Sequence, residues 1–306
     1  MLSHLYEYFQ DPLNNLAQQH GIEIRASSRS LDFIQGTNII RISHDHLIYG
    51  EGIIQSFQHY FSAVESQPMD GIYNLVDYST SRYQTVNGFG LMPIYFPSFV
   101  EPMSTTHAYL DFARILPGST VLDLGAYAGQ TSIIFKELTG PYGRVVALDA
   151  DPMNIRAIRK NFSLYSVIRN HHIDLVYGAI WSHSRGITFS SENNMGSCAA
   201  EIVGLDTGRG QDVAVPSFTL SSLAERVDLR SVDFIKCDVE GAELQVFEDA
   251  DFFQRFRPRI LVETHKVNGL GSADQCVQLL SSYGYHCRVV QPHIMAGFPL
   301  LECTPL

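Results

Sequence analysis

Val121-Leu-Asp-Leu-Gly-Ala-Tyr-Ala-Gly-Gln-Thr-Ser132, which follows Pro117-Gly118, is the stretch on which the fold turns. Its first half is a short apolar run with β-branched and leucine residues. Its second half switches to small residues and leads into the apolar-periodic segment Ile133 to Leu138. The pattern predicts a buried parallel strand turning through glycines into a helix. Gly125 and Gly129, lacking Cβ, can take positive φ and let a ligand approach closely. Such a turn lies at the carboxyl end of a strand, where open α/β sheets bind nucleotides and related cofactors. A tight strand-to-helix turn with no ligand carries the same signature, so the rest of the chain has to decide.

Downstream, strand and helix alternate. Arg144 to Leu148 reads as a second buried strand, Met153 to Phe162 as a helix, Ile173 to Trp181 as a third strand, Val232 to Cys237 as a fourth and Arg259 to Val262 as a fifth. Repeated β/α units imply a mainly parallel sheet with helices on both faces. Residues 187 to 218, rich in Ser, Asn and Gly, interrupt the rhythm and read as a β-hairpin excursion ending in a strand-like Phe218-Thr-Leu220. A helix over Ala273 to Ser282 and an antiparallel pair, His286 to Val290 with Met295 to Cys303, finish the sheet.

Upstream, Leu5, Phe9, Leu13 and Leu16 recur at helical spacing, broken by Pro12 into two short helices. Short strands follow at Ile22 to Ser27 and Asn38 to Ile42, then a helical pattern from Asp45 to Val64. Ile72 to Asp77 and Leu91 to Phe96, divided by Asn87-Gly88, read as an aromatic two-stranded ribbon that could wall a pocket or cover a sheet edge. A helix capped by Ser104 or Thr105 runs to Pro117. These features divide the chain into an α+β extension over residues 1–103 and an α/β domain over residues 104–306. His44, His46 and His59 are scattered singly and receive no role.

Composition narrows the function. The 306 residues are 45% hydrophobic with a formal net charge of -11, enough for a sizeable core and unfavourable for tracking nucleic-acid phosphates. Five cysteines, odd in number and without a Cys-x-x-Cys pair, suggest neither a disulfide framework nor a zinc knuckle, which points to a reducing cytoplasm. The N-terminus does not read as a signal peptide, and no apolar run is long enough to cross a bilayer.

Three chemically suggestive features fall at the carboxyl ends of expected strands. The first is the Gly125/Gly129 turn. The second is Asp149, about two dozen residues downstream of Gly125, near the spacing at which an acid reaches a ribose diol. Asp151, directly before Pro152, reads instead as a helix cap. The third is Asp238-Val-Glu-Gly-Ala-Glu243, three carboxylates in six residues after an apolar strand, too many to be caps alone.

On these motifs the chain resembles the FkbM-type methyltransferases, within the class I S-adenosylmethionine-dependent superfamily. The resemblance rests on Val121 to Gly129, on Ala147-Leu-Asp-Ala-Asp-Pro152 with Asn154, on Ile235-Lys-Cys-Asp-Val-Glu-Gly-Ala-Glu243, and on Pro258-Arg-Ile-Leu-Val-Glu-Thr-His265. Tyr127 stands where the family usually has Asn, Asp149-Ala150 where it has Glu-Pro, and Cys237 where it has an aliphatic residue. The resemblance implies an α/β, Rossmann-like, seven-stranded and mainly parallel sheet. It also implies S-adenosylmethionine as cofactor and O-methyl transfer to a hydroxyl of a small molecule such as a natural product, lipid or glycan precursor.

The resemblance further implies cofactor contacts at Asp123, Gly125, Ala126, Tyr127, Gly129, Thr131, Asp149, Ala150, Asn154, Ala179 and Asp238. Methyl transfer needs a base, and Asp238 ranks first, followed by Glu240, Glu263 and His265, with Glu263 placed to tune the imidazole if the strand runs on through Thr264. Asp238, Glu263 and His265 could instead hold a divalent metal, although the spacing does not require one. Glu240 and Glu243 have a competing reading as first-turn carboxylates, and Lys236 as a surface residue or a partner of one of these acids. A nicotinamide oxidoreductase and a non-catalytic binding module are the alternatives. The turn lacks the Gly-x-Gly-x-x-Gly spacing of the former, and the glycines and ribose acid that the latter would lose are present. The expected partners are a small hydroxyl acceptor and, through the N-terminal helices, a second copy in a homodimer; nucleic acid and membrane insertion are not expected.

Overall fold

The computed structural model describes residues 12–100, 103–191, 197–200, 211–267, 270–290 and 299–306. The chain forms two compact units, Met1–Met103 and Ser104–Leu306.

In the second unit the strands are β1 (Thr120–Leu124), β2 (Arg144–Asp149), β3 (Asp174–Tyr177), β4 (Phe234–Cys237), β5 (Arg259–Glu263), β6 (Tyr285–Val290) and β7 (Leu300–Pro305). They form one sheet in the order β3-β2-β1-β4-β5-β7-β6. The first five are mutually parallel, while β7 runs antiparallel to β5 and β6 antiparallel to β7. β1 lies at the topological switch point: the chain moves to β2 and β3 on one side of it and returns to β4 and β5 on the other. Every residue of β1 and β4 is buried, which explains their unbroken apolar character.

The helices are α1 (Met103–Ala113), α2 (Gln130–Thr139), α3 (Pro152–Arg169), α4 (Leu220–Arg226), α5 (Glu243–Phe247), α6 (Ala250–Phe256) and α7 (Ala273–Ser282). Leu122, Ile235, Val262 and Leu301 of the sheet pack in one core with Phe247 of α5, Phe252 and Phe253 of α6, and Leu280 of α7. Burying a side chain of this size contributes roughly 1.5–3 kcal/mol, so this core fixes the strand ends that carry the site.

Several expectations need correcting here. The third strand breaks at Gly178, and Ala179–Ile180 leave the large sheet to pair with Ser217–Phe218. Thr219 is a helix cap, its hydroxyl accepting from the Ser222 amide, so the expected strand end at Leu220 is the start of α4. The excursion is a three-stranded antiparallel sheet of Cys198–Ala199, Ile187–Ser191 and Gln211–Val215 among the described residues. α1 starts at Met103, upstream of both expected caps, and stops at Ala113, where Arg114 takes φ 49. Cys287 and Cys303 face each other on β6 and β7 and form a disulfide that the cysteine spacing did not reveal. Their partnership is set by strand register between residues 16 apart, which a search for close cysteine pairs misses. Cys198, Cys237 and Cys276 are buried. None of the described helices is long and apolar enough to cross a membrane.

The first unit holds a five-stranded sheet in the order Glu23–Ala26, Ser30–Gln35, Asn38–Ser43, Tyr73–Asp77, Gln67–Met69. The expected aromatic ribbon does not form: Tyr73–Asp77 is paired on both edges within this sheet, and Ile94–Phe96 pairs with Arg82–Gln84. Tyr78 and Phe96 are fully buried and Tyr83 is half exposed, so these rings do not build a common wall. The expected single helix from Asp45 to Val64 is three short ones, His44–Tyr49, Gly50–Gln55 and Phe57–Ser62, because Ser56 leaves the helical region at φ -117. Of the two N-terminal helices, one spans residues 12–19, starting at Pro12 where proline is tolerated, and the other lies outside the described residues.

Candidate active site

Two loops beside β1 build the site. In the loop after β1, Gly125, Tyr127 and Gly129 all have positive φ, at 77, 50 and 78. A Cβ on Gly125 would stand 1.7 Å from the carbonyl oxygen of Asp238, so the β1 and β4 loops touch through the missing side chain. A Cβ on Gly129 would meet the Phe162 ring of α3 at 2.7 Å. Tyr127 is the costlier feature. A left-handed conformation is strained for an aromatic residue and easier for Asn, the residue usual at this place in the family it resembles.

Asp149, the last residue of β2, ties that loop down. Its Oδ2 accepts the Tyr127 amide at 2.8 Å, and its Oδ1 accepts the Asp151 amide at 2.8 Å and the Asn154 side-chain amide at 3.2 Å. Burial, assisted by the charge of Asp151, pushes its carboxyl up to about 7 despite these donors. Asp151 caps α3 as expected, accepting from the amides of Met153 and Asn154. Its Oδ2 also takes the hydroxyls of Ser191 and Ser197. Close by in chain order, both amide atoms of Gln130 and the Oδ1 of Asn154 are buried without a hydrogen-bond partner. Ala150 and Ala179 are buried in an apolar cluster with Trp181 and Ala242, against which Val239 packs. Ala126 and Thr131 are buried within the turn and the first turn of α2.

The second corner is acidic. Asp238, Glu240 and Glu243 leave the end of β4, and Glu263 and His265 leave the end of β5. Glu243, fully buried, grips the His265 imidazole: its Oε1 lies 2.8 Å from Nδ1 and accepts the Gly241 amide, and its Oε2 accepts the Ser272 hydroxyl. The expected pairing of Glu263 with His265 therefore does not occur. β5 ends at Glu263, the alternation that would place both on one face stops, and the Glu263 Oε2 instead accepts the Tyr109 hydroxyl at 2.8 Å. The first-turn carboxylate Glu243 takes the place expected for Glu263. The Nε2 of His265 stands 3.5 Å from Glu240 and 3.8 Å from Oδ1 of Asp238. Glu240, like Tyr127, is a non-glycine residue at positive φ, 51, followed by Gly241 at φ 98.

Lys236 binds the corners together. Fully enclosed on β4, its Nζ donates to the Gly125 carbonyl at 2.6 Å and lies 3.5 Å from both Asp123 and Asp238. Asp123, on β1, is completely buried and also accepts the Ser132 hydroxyl, so it belongs to the frame beneath the turn. Of the two roles expected for Lys236, the structure has it pair with an acid, Asp238, and not reach the surface. Tyr109 was not legible as a site residue, because it sits in α1, far from the motif.

Charge crowding sets the protonation. Burial, with the charges of Asp238, Glu263 and Glu243, pushes Glu240 up to about 8 against the opposing pull of His265. Glu263 rises to about 7 through burial and Asp238. Burial pulls His265 down, but Glu240, Glu243 and Asp238 outweigh it and hold the imidazole at about 10. The side chain expected to titrate near neutrality is thus a cation there. A groove of about 1700 Å³ along the outer edge of β3, lined by Arg144, Arg159, Tyr177 and Arg226 among others, contains none of these acids.

Residues 123–287 match the methyltransferase FkbM domain. No curated protein matches the chain by sequence. Among solved structures, a methyltransferase FkbM from Methylobacillus flagellatus KT is 16% identical with a TM-score of 0.45, the match covering 66% of this chain and 48% of that one. A precorrin-6y C5,15-methyltransferase from Geobacter metallireducens GS-15 is 16% identical with a TM-score of 0.41, covering 67% and 89%. Aeropyrum pernix fibrillarin, in complex with natively bound S-adenosyl-L-methionine, is 13% identical with a TM-score of 0.41, covering 92% and 99%. These likenesses are distant, and the domain match, spanning more than half of the sequence, is what assigns the chain to the FkbM methyltransferase family.

Proposed function

We propose that the protein is an S-adenosylmethionine-dependent O-methyltransferase acting on a hydroxyl of a small molecule. The observation that carries this reading is the meeting of the two corners, with the Gly125 turn seated on the backbone of Asp238 and several carboxylates gathered immediately beyond it. Nucleophile activation and cofactor binding then share one edge of β1.

The residues present suit the cofactor. Buried amide atoms of Gln130 and Asn154 without partners beside the glycine turn are what a polar ligand would satisfy. Asp149 would take the ribose hydroxyls, the Gly125 to Gly129 backbone the methionine portion, and the apolar surroundings of Ala150 and Ala179 the adenine. S-adenosylmethionine supplies an electrophilic methyl group on a sulfonium sulfur, which an acceptor oxygen attacks in line. Positioning is most of the remaining work. Asp238 takes the hydroxyl proton, with Lys236 as its counter-charge, and, being 27% exposed, releases it to water. His265, a cation near neutral pH, balances the carboxylates and does not act as the base. The acceptor is a natural product, lipid or glycan precursor bearing a free hydroxyl.

The test is calorimetric titration with S-adenosylmethionine and S-adenosylhomocysteine, in EDTA, of the wild type and Asp149→Ala, with NADH and NADPH as controls. Binding of the sulfur cofactors alone, lost in Asp149→Ala, supports the reading, and a screen with methyl-labelled cofactor then identifies the acceptor. Absence of binding, or binding of a nicotinamide only, would sink it.

A further inference from the structure

The groove along the outer edge of β3 reverses the charge of the rest of the chain. With 32 acidic residues against 21 lysines and arginines, the protein is strongly acidic. Yet Arg144, Arg159, Arg185 and Arg226 all line this groove, and among the described residues Asp174 is the one acid that lines it. Arg144 already answers that acid, at 2.7 Å. Arg159 of α3, Arg185 ahead of the Ile187–Ser191 strand and Arg226 of α4 are exposed and form no ion pair with a described residue. Three guanidinium groups brought from three separate elements, with no counter-charge of their own, give the groove a positive potential that draws anions.

The strand they surround has an open edge. β3 stands at the end of the sheet and pairs with β2 alone. The Gly178 amide donates to the Asp149 carbonyl, on the β2 side, at 2.9 Å. Backbone groups alternate between the two edges of a strand, so those of Leu175 and Tyr177 face the groove, and among the described residues no backbone group bonds to them there. The volume of about 1700 Å³ exceeds the roughly 300–1,000 Å³ of a small-molecule pocket, and Phe162, Val215 and Phe218 add apolar surface to its lining. Charges also serve to blunt sheet edges, but blunting charges belong to the edge strand itself. Here β3 carries only Asp174, and the cations stand on its neighbours.

We propose that this groove docks an extended acidic segment of a partner protein, which adds a strand to the free edge of β3 while its carboxylates pair with Arg159, Arg185 and Arg226. Strand addition supplies main-chain hydrogen bonds and leaves the side chains to select the partner, and guanidinium groups suit carboxylates because they can bind them through two parallel hydrogen bonds. A nucleic acid would meet the same cations but leave the backbone groups of Leu175 and Tyr177 unmatched. An acidic peptide strand answers both. The groove shares no residue with either corner of the active site, so the docking does not rest on the methyltransferase reading.

The experiment is binding of the full chain to an array of synthetic peptides that alternate acidic and apolar residues, each beside its counterpart with Gln for Glu and Asn for Asp, and to a single-stranded oligonucleotide. Wild type is expected to bind acidic peptides and not their amide counterparts, with an affinity that falls as salt is added. In the complex the backbone amides of Leu175 and Tyr177 are expected to exchange more slowly with solvent. Arg159→Glu, Arg185→Glu and Arg226→Glu should each weaken binding by roughly three- to tenfold. Arg29→Glu, the same charge change at an exposed residue of the first unit, should leave it unchanged. Failure to bind any acidic peptide, equal binding of the amide counterparts, tighter binding of the oligonucleotide, or unchanged exchange at Leu175 and Tyr177 would each overturn the proposal, and these readouts need no variant to fold. A wild-type dimer that the three reversals dissolve would overturn it too, by giving the groove to a second copy of the chain.

Discussion

Asp149 and Asp238 stand one strand to either side of β1, yet the protein treats their charges in opposite ways. Asp149 is surrounded by donors that are mostly backbone, the amides of Tyr127 and Asp151, with the Asn154 side chain. Asp238 is answered by side-chain cations, Lys236 and His265, at 3.5 and 3.8 Å, and competes for them with Asp123, Glu240 and Glu243. The first corner is rigid because its donors belong to the fold. The second is poised because its cations are shared among more acids than they can neutralise, a state that responds to a proton, a metal or a substrate. One corner is built to hold something still, the other to let charge move.

The difference is sharpest in kinetics. Asp238→Asn is expected to lower methyl transfer by about 10²- to 10⁴-fold, the usual reach of proton-transfer catalysis, with cofactor affinity nearly unchanged. Asp149→Ala should show the reverse, lost affinity for the sulfur cofactors. Parallel single-turnover and calorimetric measurements on both variants check the division, and a shared loss of affinity would break it.

Next in size is Glu243→Gln. Removing the charge from a completely buried carboxylate that holds an imidazolium should cost about 3 kcal/mol of stability and lower the His265 pKa from its raised value of about 10. Chemical denaturation and ¹⁵N NMR titration of the imidazole measure the two effects. An unchanged histidine titration would mean that Glu240 and Asp238, not Glu243, hold its proton.

The buried acids of the two corners also predict an unusual pH response. Asp149, Glu240 and Glu263 have folded-state pKa values of about 7, 8 and 7, above their ordinary values of 3.8, 4.5 and 4.5. The folded chain therefore binds more protons than the unfolded one between these limits, and stability falls as pH rises through that window. His265, raised from 6.5 to about 10, contributes stability that is complete below 6.5 and lost as pH climbs through 10. The slopes share a sign. The unfolding midpoint should therefore fall steadily between pH of about 6 and 9. Glu263→Gln should flatten the dependence; scanning calorimetry across pH decides.

The smallest expected effect is Asp151→Ala, which removes the α3 cap and the partner of two serine hydroxyls, at a cost of about 1 to 2 kcal/mol. If Asp151 is architecture alone, S-adenosylmethionine affinity stays within about threefold in the folded variant.

What the sequence disclosed follows the same division. The Gly125 turn, Asp149 and the Asp151 cap are local patterns, each readable within a few residues, and the parallel strands announce themselves as apolar runs. The acidic corner was legible as residue types but not as partnerships. Glu243 and His265 are 22 residues apart and Tyr109 and Glu263 are 154 apart, so only packing of α1, α5 and α7 about β4 and β5 pairs them. The Cys287–Cys303 link was hidden for the same reason, being a matter of strand register. In the first unit, burial misled the periodicity: residues facing a common core gave one helical stripe across Ser56, where the backbone breaks.

The empty space at Gly125 has a practical consequence for anyone testing this enzyme. Substitution of the first glycine in such a turn is a common way to make a cofactor-blind control, on the assumption that only ligand contact is lost. Here the added methyl group would land on the Asp238 carbonyl, 1.7 Å away, and push the loop that carries Asp238, Glu240 and Glu243. A dead Gly125→Ala protein would be silent about which function had been removed, and Asp149→Ala is the cleaner control.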